Sequence, residues 1–507
     1  MEQQNAEDGS LSTRTFSSTE LFFLLFPQAL VGFVDAISFM IVAPSLIFYV
    51  RDVGGDKEQY GVILAAFSLA SCIFKPVVGY WSDKTGLKFR LPYLTSIAIS
   101  AMGALLYFFA GAFHGISALG MILLGRFLSG MGAANNMLGF SYIATLIPSE
   151  AMTQANALLT MVRVLGLLVA PGINIVLHLV NFKLVAGSFS MPVNELNGVG
   201  LFLLVGSILN FVAIYLMLDD PTENQLTQIR SQRNVEELPG SFWKSICRLD
   251  ILVPLFALFS INANFQLLET TLAPAASDAL GWGPVSTSTL FAINSILMFF
   301  VIMITIRLSG KGVSDMSIVL FGLTLSFAGH VMVFCLWKRG MSTTGFIISC
   351  KCLAMVQCKM MDDKMLGNDR MAQFVSFHST VTLAVTAFPL LVAPIRSIFS
   401  RAVANDEHLR NHQGTMQAII GMMSSIAGFT APGLIAAFVL RTPEGVSTSN
   451  DQRELTLWAL VAPALSLITL DAFLFIKIDY EKQELPDVKE GFDLKSDEGQ
   501  PLLGPEA

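Results

Sequence analysis

The feature that most constrains this chain is the recurrence of long apolar stretches. A helix needs roughly 20 mostly apolar residues to cross the hydrocarbon core of a bilayer. About twelve such stretches can be marked along the sequence. They run near 21–50, 59–81, 91–113, 117–147, 151–180, 197–218, 251–276, 285–308, 315–337, 373–400, 412–440 and 454–478, and are counted below as spans 1 to 12. Lipid offers the backbone no hydrogen-bond partners, so a span must satisfy its own N–H and C=O groups. Stretches of this length do so as helices. The expected fold class is therefore an all-α polytopic membrane protein with 12 transmembrane helices in two six-helix bundles. Composition agrees. Charged residues make up 14% of the chain, against roughly 25% in soluble domains. That excludes a disordered chain, a nucleic-acid binder and an ordinary cytosolic enzyme. The net charge of −7 resides almost wholly in the tail after Ile478, which carries nine acidic and three basic residues, so it says nothing about substrate. Six cysteines in 507 residues are not a disulfide framework. No CxxC pair, HExxH or phosphate-loop motif is present, so no cofactor, metal or enzymatic activity is expected.

The organisation read from these spans is a cytosolic N-terminal tail (1–20), a first bundle (21–218), a cytosolic central loop (219–250), a second bundle (251–478) and an acidic cytosolic tail (479–507). The first stretch is too long for a cleavable leader and lacks a small-residue cleavage pattern, so it is read as a retained span. Orientation follows from Lys and Arg in short loops. With both ends cytosolic, the inner side collects Arg14, Lys75, Lys84, Lys88, Arg90, Arg230, Arg233, Lys244, Arg248, Arg307, Lys311, Arg401, Arg410, Lys477 and Lys482. The outer side collects only Arg51, Lys57, Lys183, Arg441 and Arg453. An insertion over 338–372 lies on the outer side although six basic residues fall between Lys338 and Arg370. Within it, Gly345 to Cys358 is a re-entrant piece or a thirteenth span. Its roughly 14 residues are too few to cross, which favours twelve. Cys350, Cys352 and Cys358 lie there too. The halves echo each other: Ala170-Pro171-Gly172 in span 5 matches Ala431-Pro432-Gly433 in span 11, and Ala43-Pro44 in span 1 matches Ala273-Pro274 in span 7. Repeated halves are the sequence trace of carriers that rock about a central site.

Between spans 2 and 3 stands Gly79-Tyr-Trp-Ser-Asp83-Lys84-Thr85-Gly86-Leu-Lys88-Phe-Arg90. Gly79 is read as letting two helices approach closely, Asp83 as sitting at a helix N-terminus, and Lys84, Lys88 and Arg90 as holding the loop in the cytosol. The segment resembles the cytosolic loop signature of the major facilitator superfamily. Arg126-Phe-Leu-Ser-Gly130-Met-Gly132-Ala133-Ala134 in span 4 is similar to that superfamily's second motif, and Asp35, nine residues before Pro44, to the span-1 aspartate and proline of its proton-coupled antiporters. In span 7, Glu269-Thr270, Pro274, Asp278 and Trp282 resemble the lysosomal major facilitator subfamily associated with neuronal ceroid lipofuscinosis. Ala-Pro in spans 5 and 11 replaces the expected Gly-Pro, and Arg163 stands where an uncharged residue is usual. These departures argue against antiport-type gating and for a different substrate. The resemblance implies the major facilitator fold, with spans 1, 4, 7 and 10 lining a cavity and the Gly79–Arg90 loop acting in gating.

Charges inside spans cost about 2.5–3.5 kcal/mol on insertion scales and are functional by default. The deep ones here are Asp35, Arg126, Arg163 and Glu269. A carboxylate's proton affinity depends on its burial and on nearby cations. An arginine that moves between two states therefore couples proton binding to rocking. Glu269 and Asp35 are read as the acids and Arg126 as the modulator, against the alternative of static ion pairs. Asn135, Asn264 and His378 are lesser cavity positions.

The function expected from these residues is secondary active transport of a small solute, coupled to protons and working by alternating access. An uncoupled anion pathway, favoured by Arg126 and Arg163, and a non-transporting scaffold are the alternatives. The expected partners are a small-molecule or anionic solute, protons and the lipid bilayer, with no nucleic acid. Glu498, Leu502 and Leu503 in the acidic tail resemble a dileucine signal read by clathrin adaptors. The resemblance and this signal point to a lysosomal, endosomal or vacuolar membrane, with the plasma membrane as the other address.

Overall fold

A computed structural model describes residues 18–84, 88–146, 149–186, 189–218, 220, 244–311, 313–338, 369–406, 409, 413–438 and 461–476. Apolar helices stand at all twelve expected positions. Eight are long and apolar enough to cross a membrane, and four shorter ones fill the remaining places. Span 1 is broken into α1 (Ser18–Met40) and α2 (Leu46–Asp52). Pro44 lies in the break; it lacks an N–H and crowds the preceding turn. Spans 2 and 3 are α3 (Lys57–Lys84) and α4 (Arg90–Phe109). Span 4 is α5 (Ile116–Gly132), a 3-10 turn over Ala133–Asn135, and α6 (Asn136–Leu146). Spans 5 and 6 are α7 (Ser149–Leu177) and α8 (Gly198–Met217). The second half holds α9 (Leu249–Leu280), α10 (Pro284–Gly310), α11 (Asp315–Lys338), α12 (Asp369–Asn405) and α13 (Gln413–Phe438), then α14 (Val461–Ile476). The core of the 338–372 insertion lies outside the described residues; its last four positions belong to α12.

One element is absent from the sequence reading. Between α7 and α8 the chain forms an antiparallel hairpin, β1 (Phe182–Ala186) with β2 (Phe189–Val193), Phe182 facing Val193 and Ala186 facing Phe189. Its signal was present: aromatic and β-branched residues flank a Gly187-Ser188 pair.

The apolar packing differs at the two ends of the molecule. At the end assigned to the outer side, one continuous core joins both halves. It runs from Ile41, Tyr49, Tyr60 and Leu64 to Leu268, Leu272, Phe291 and Val381. Hydrogen bonds cross the same seam: the Tyr60 hydroxyl donates to the Thr270 carbonyl at 3.1 Å, and Arg51 Nη1 to Ser277 Oγ at 2.7 Å. At the end bearing Lys88 and Arg90 the halves have separate cores. One is built on Leu25, Phe89, Tyr93, Leu138 and Tyr142, the other on Leu258, Val319, Leu391, Phe399 and Phe473. Along the flanks α3 packs on α13 and α7 on α10.

Two readings of the span 2–3 loop need correction. A Cβ built on Gly79 meets nothing within 4 Å, so this glycine mediates no close approach. The close approach is at Gly130, where a Cβ would stand 2.0 Å from the Phe67 carbonyl oxygen. The backbone of Asp83 lies in the last turn of α3, not at a helix start. The carboxylate at the N-terminus of α4 is instead Asp220, whose Oδ1 accepts from the N–H of Phe89 at 2.6 Å and of Arg90 at 2.9 Å. Free N–H groups at a helix start favour such a carboxylate.

Candidate functional site

The chain must bring polar side chains on apolar helices to the surface between the two halves, because lipid penalises them. Arg126 projects from α5 and is 2% exposed; Glu269 projects from α9 and is 3% exposed. They come from opposite halves and lie within electrostatic reach of each other. Arg126 Nη1 donates to the Ser38 carbonyl at 2.9 Å, and its guanidinium lies over the Phe67 ring, 4.5 Å from the centroid. Its Nε and Nη2 have no partner. Glu269 Oε2 accepts from Gln266 Nε2 at 2.9 Å, while Oε1 has none. The next residue, Thr270, carries the carbonyl that Tyr60 holds across the seam. The acid therefore sits one residue from the contact that closes the outer end.

Asp35 and Arg163 form a second group. Asp35, on α1, is 9% exposed with Oδ2 unpartnered. It interacts electrostatically with Arg163 on α7. The four charges read from the sequence thus separate into Arg126 with Glu269 and Asp35 with Arg163.

The lesser candidates divide. Asn135 is fully buried in the 3-10 turn of span 4, with neither amide atom hydrogen-bonded. Asn264 is not a member of the Arg126–Glu269 group: its Nδ2 donates to the Ala462 carbonyl at 3.1 Å and to Ser466 Oγ at 2.9 Å. Five residues on an α-helix advance about 500°, which turns it away from Glu269 and onto α14. Ser466 continues to Ser326 at 3.1 Å, and the ring of His330 donates to the Ser326 carbonyl at 2.7 Å. Arg90 anchors α4 to α8, donating to the Tyr215 carbonyl and stacking on its ring. Lys88 is exposed. The side chains of Asp83, Lys84 and His378, and residues Gly86, Glu498, Leu502 and Leu503, lie outside the described residues.

Sequence reasoning missed the seam-crossing hydroxyl of Tyr60 and the guanidinium of Arg396 on α12. It also counted Lys75 with the inner loop charges. Lys75 is 5% exposed and donates to the Gly421 carbonyl at 3.2 Å and to the Ser425 hydroxyl, both on α13. Its position inside an apolar stretch, as with Arg396, was the signal available.

Two helical bundles meeting at a seam of charged residues, with one shared core at one end and separate cores at the other, define a polytopic membrane protein. The profile of the Major Facilitator Superfamily matches residues 29–432, and the chain belongs to that family. Among curated relatives it is 23% identical over 318 residues to the major facilitator superfamily domain-containing protein 8 of Xenopus laevis, a match covering 59% of this chain and 60% of the relative. It is 24% identical over 264 residues to the class E tetracycline resistance protein of Escherichia coli, covering 52% and 60%. The chain thus spans about three-fifths of the length of these relatives. Two solved structures share the fold. A bacterial homologue of the human lysosomal transporter Spinster, in an inward-facing and unoccupied conformation, aligns with a TM-score of 0.59 at 11% identity over 90% of this chain and 98% of that one. The xylose transporter XylE from E. coli, in a partially occluded inward-open conformation, aligns with a TM-score of 0.58 at 11% identity over 89% and 97%.

Proposed function

We propose that the protein is a secondary active transporter that moves a small solute across an endolysosomal membrane by alternating access, coupled to protons. The observation that carries this reading is the Arg126–Glu269 pair. Two buried charges from opposite halves lie within electrostatic reach, yet each keeps unpartnered polar atoms. A static ion pair would spend those atoms on each other. Rocking changes the separation of the pair, and with it the affinity of the carboxylate for a proton. Proton binding and rocking are then linked, and each biases the other equally. The joined core at the outer end and the separate cores at the inner end correspond to a cleft open to the cytosol. Both aligned solved structures are inward-facing or inward-open, which supports that assignment.

Glu269→Gln keeps shape and removes the titrating group. In proteoliposomes it is expected to transport solute at a rate independent of an imposed pH gradient, while the wild type follows the gradient. Unchanged gradient-driven flux in the variant removes Glu269 from the mechanism. Flux that ignores the gradient in the wild type too favours the second reading, an uncoupled anion pathway, for which Arg126 and Arg163 inside the bundle speak. No flux at all favours a scaffold.

The address rests on the span-7 resemblance to the lysosomal subfamily and on Glu498, Leu502 and Leu503. Two adjacent leucines fill an apolar pocket on an adaptor while an upstream carboxylate meets a basic patch. Replacing Leu502 and Leu503 with alanine is expected to move a fluorescently tagged protein from endolysosomes to the plasma membrane. Unaltered localisation removes the signal.

A further inference from the structure

The group around Asp35 is larger than a pair. Lys75 lies within electrostatic reach of Arg163 and Arg396, and Arg163 of Arg396. The three cations come from α3, α7 and α12, so both halves contribute. They stand at the level of the separate inner cores, with Arg163 at its outer edge. Lys75 precedes Val78 of the inner first-half core, Arg163 lies between Val162 of that core and Leu167 of the joined one, and Arg396 follows Ile395 of the inner second-half core.

The charge balance of this cluster is uneven. Asp35 is the one carboxylate that interacts with it among the described residues. Among the described residues, three basic groups against one acidic group leave an excess of two positive charges inside a membrane span, where each is costly. Hydrogen bonding does not make up the difference. The acceptors of Lys75 among the described residues are neutral, the Gly421 carbonyl and the Ser425 hydroxyl. Arg396 Nε is buried without a partner, and Arg163 forms no hydrogen bond or ion pair among the described residues. There is also room: a Cβ built on Gly421, beside the Lys75 ammonium, meets nothing within 4 Å.

The geometry points to an anion site formed by Lys75, Arg163 and Arg396 at the inner part of the cleft, selective for a small oxyanion with two or more negative charges, of the phosphate or polycarboxylate class. Two uncompensated positive charges match a dianion. The planar guanidinium groups from two helices suit an oxyanion's paired oxygens, with the ammonium as a point charge between them. A neutral solute leaves the charges unanswered, and a halide ion answers one and offers no paired oxygens. The inference rests on the reading of the cleft as a solute pathway and names the class of solute it takes.

The test is equilibrium binding of citrate and of inorganic phosphate to the full chain in nanodiscs of zwitterionic lipid, by calorimetry, with chloride and xylose as comparison ligands. No proton gradient is involved, so the outcome is separable from the coupling experiment. Citrate or phosphate is expected to bind in preference to chloride and xylose. Lys75→Gln, Arg163→Gln and Arg396→Gln are each expected to weaken binding by about tenfold or more, since each strips a buried charged partner from the anion. Lys75→Arg keeps the charge and guards against loss of fold, and is expected to retain binding within about threefold; Arg396→Lys keeps the charge but loses the paired donors, and is expected to fall between wild type and Arg396→Gln. Xylose or chloride binding as tightly as the oxyanions overturns the proposal, as does citrate and phosphate affinity unchanged in all three glutamine variants, or no oxyanion binding by the folded wild type. Gradient-driven flux of another solute beside absent oxyanion binding leaves the coupled transporter standing and removes this site. Oxyanion binding without gradient-driven flux does the reverse.

Discussion

Arg126 and Glu269 show how much a single position can disclose. Each was legible because a charge in an apolar stretch has few structural uses. Their grouping came from the resemblance, which lines one cavity with spans 1, 4, 7 and 10; that Arg126 goes with Glu269 rather than with Asp35 is made between halves far apart in the chain and was not legible. Asp35 was equally legible as a buried acid, yet its partner is Arg163, and no spacing rule pairs α1 with α7. Glycines carried the opposite lesson. Gly79 belongs to a recognisable loop motif but meets open space, whereas Gly130 holds α5 against α3. Its missing Cβ would stand 2.0 Å from the Phe67 carbonyl oxygen, a contact that only backbone movement can relieve. Gly130→Ala is therefore expected to lower stability by about 3 kcal/mol, and Gly79→Ala to change it by less than about 0.5 kcal/mol, measured by equilibrium unfolding in detergent. Equal stability of the two variants contradicts the packing assigned to Gly130.

At the scale of elements, apolar length placed every span, while local chemistry set their interruptions. Pro44 breaks span 1 because a helix cannot use its nitrogen. The interruption of span 4 falls in the small-residue run ending at Asn135 and had no comparable marker. The hairpin Phe182–Val193 carried its signal in the aromatic and β-branched residues about Gly187-Ser188, but a search for lengths that cross a bilayer does not register strands of five residues. The start of α4 depends on a residue remote in sequence. Asp220 follows α8, yet it accepts both N–H groups at the first turn of α4, tying the central loop to the span 2–3 loop. Asp220→Ala is expected to cost about 1 kcal/mol of local stability, as loss of an N-terminal cap does. Amide hydrogen exchange at Phe89 and Arg90 should then quicken about fivefold, and Asp220→Asn should preserve most of the protection. Exchange that does not respond to Asp220→Ala contradicts this capping role.

On the scale of the whole molecule, the division of the apolar core decides the functional reading. One core joins the halves at the outer end and two separate cores stand at the inner end, and the Tyr60–Thr270 bond crosses the joined end beside Glu269. The two-bundle fold was legible from the echo of Ala-Pro motifs and from the number of spans. The side on which the halves are joined was not, because the same helices run through both ends and their apolar stretches do not tell one end from the other. In the proposed mechanism, protonation at Glu269 and the opening of one end are a single linked event. Distances between spin labels test this most directly, in a chain whose native cysteines are replaced. Leu91 on α4 and Leu249 on α9 report the inner end, 57% and 56% exposed; Ile116 on α5, 89% exposed, and Ser286 on α10, also exposed, report the outer end. Between about pH 8 and about pH 5, a range that brackets cytosolic and acidic compartments, the inner and outer distances should move in opposite directions. In Glu269→Gln each pair should hold one distribution throughout. Distances that ignore pH in the wild type, or that respond equally in Glu269→Gln, contradict the linkage of Glu269 protonation to opening.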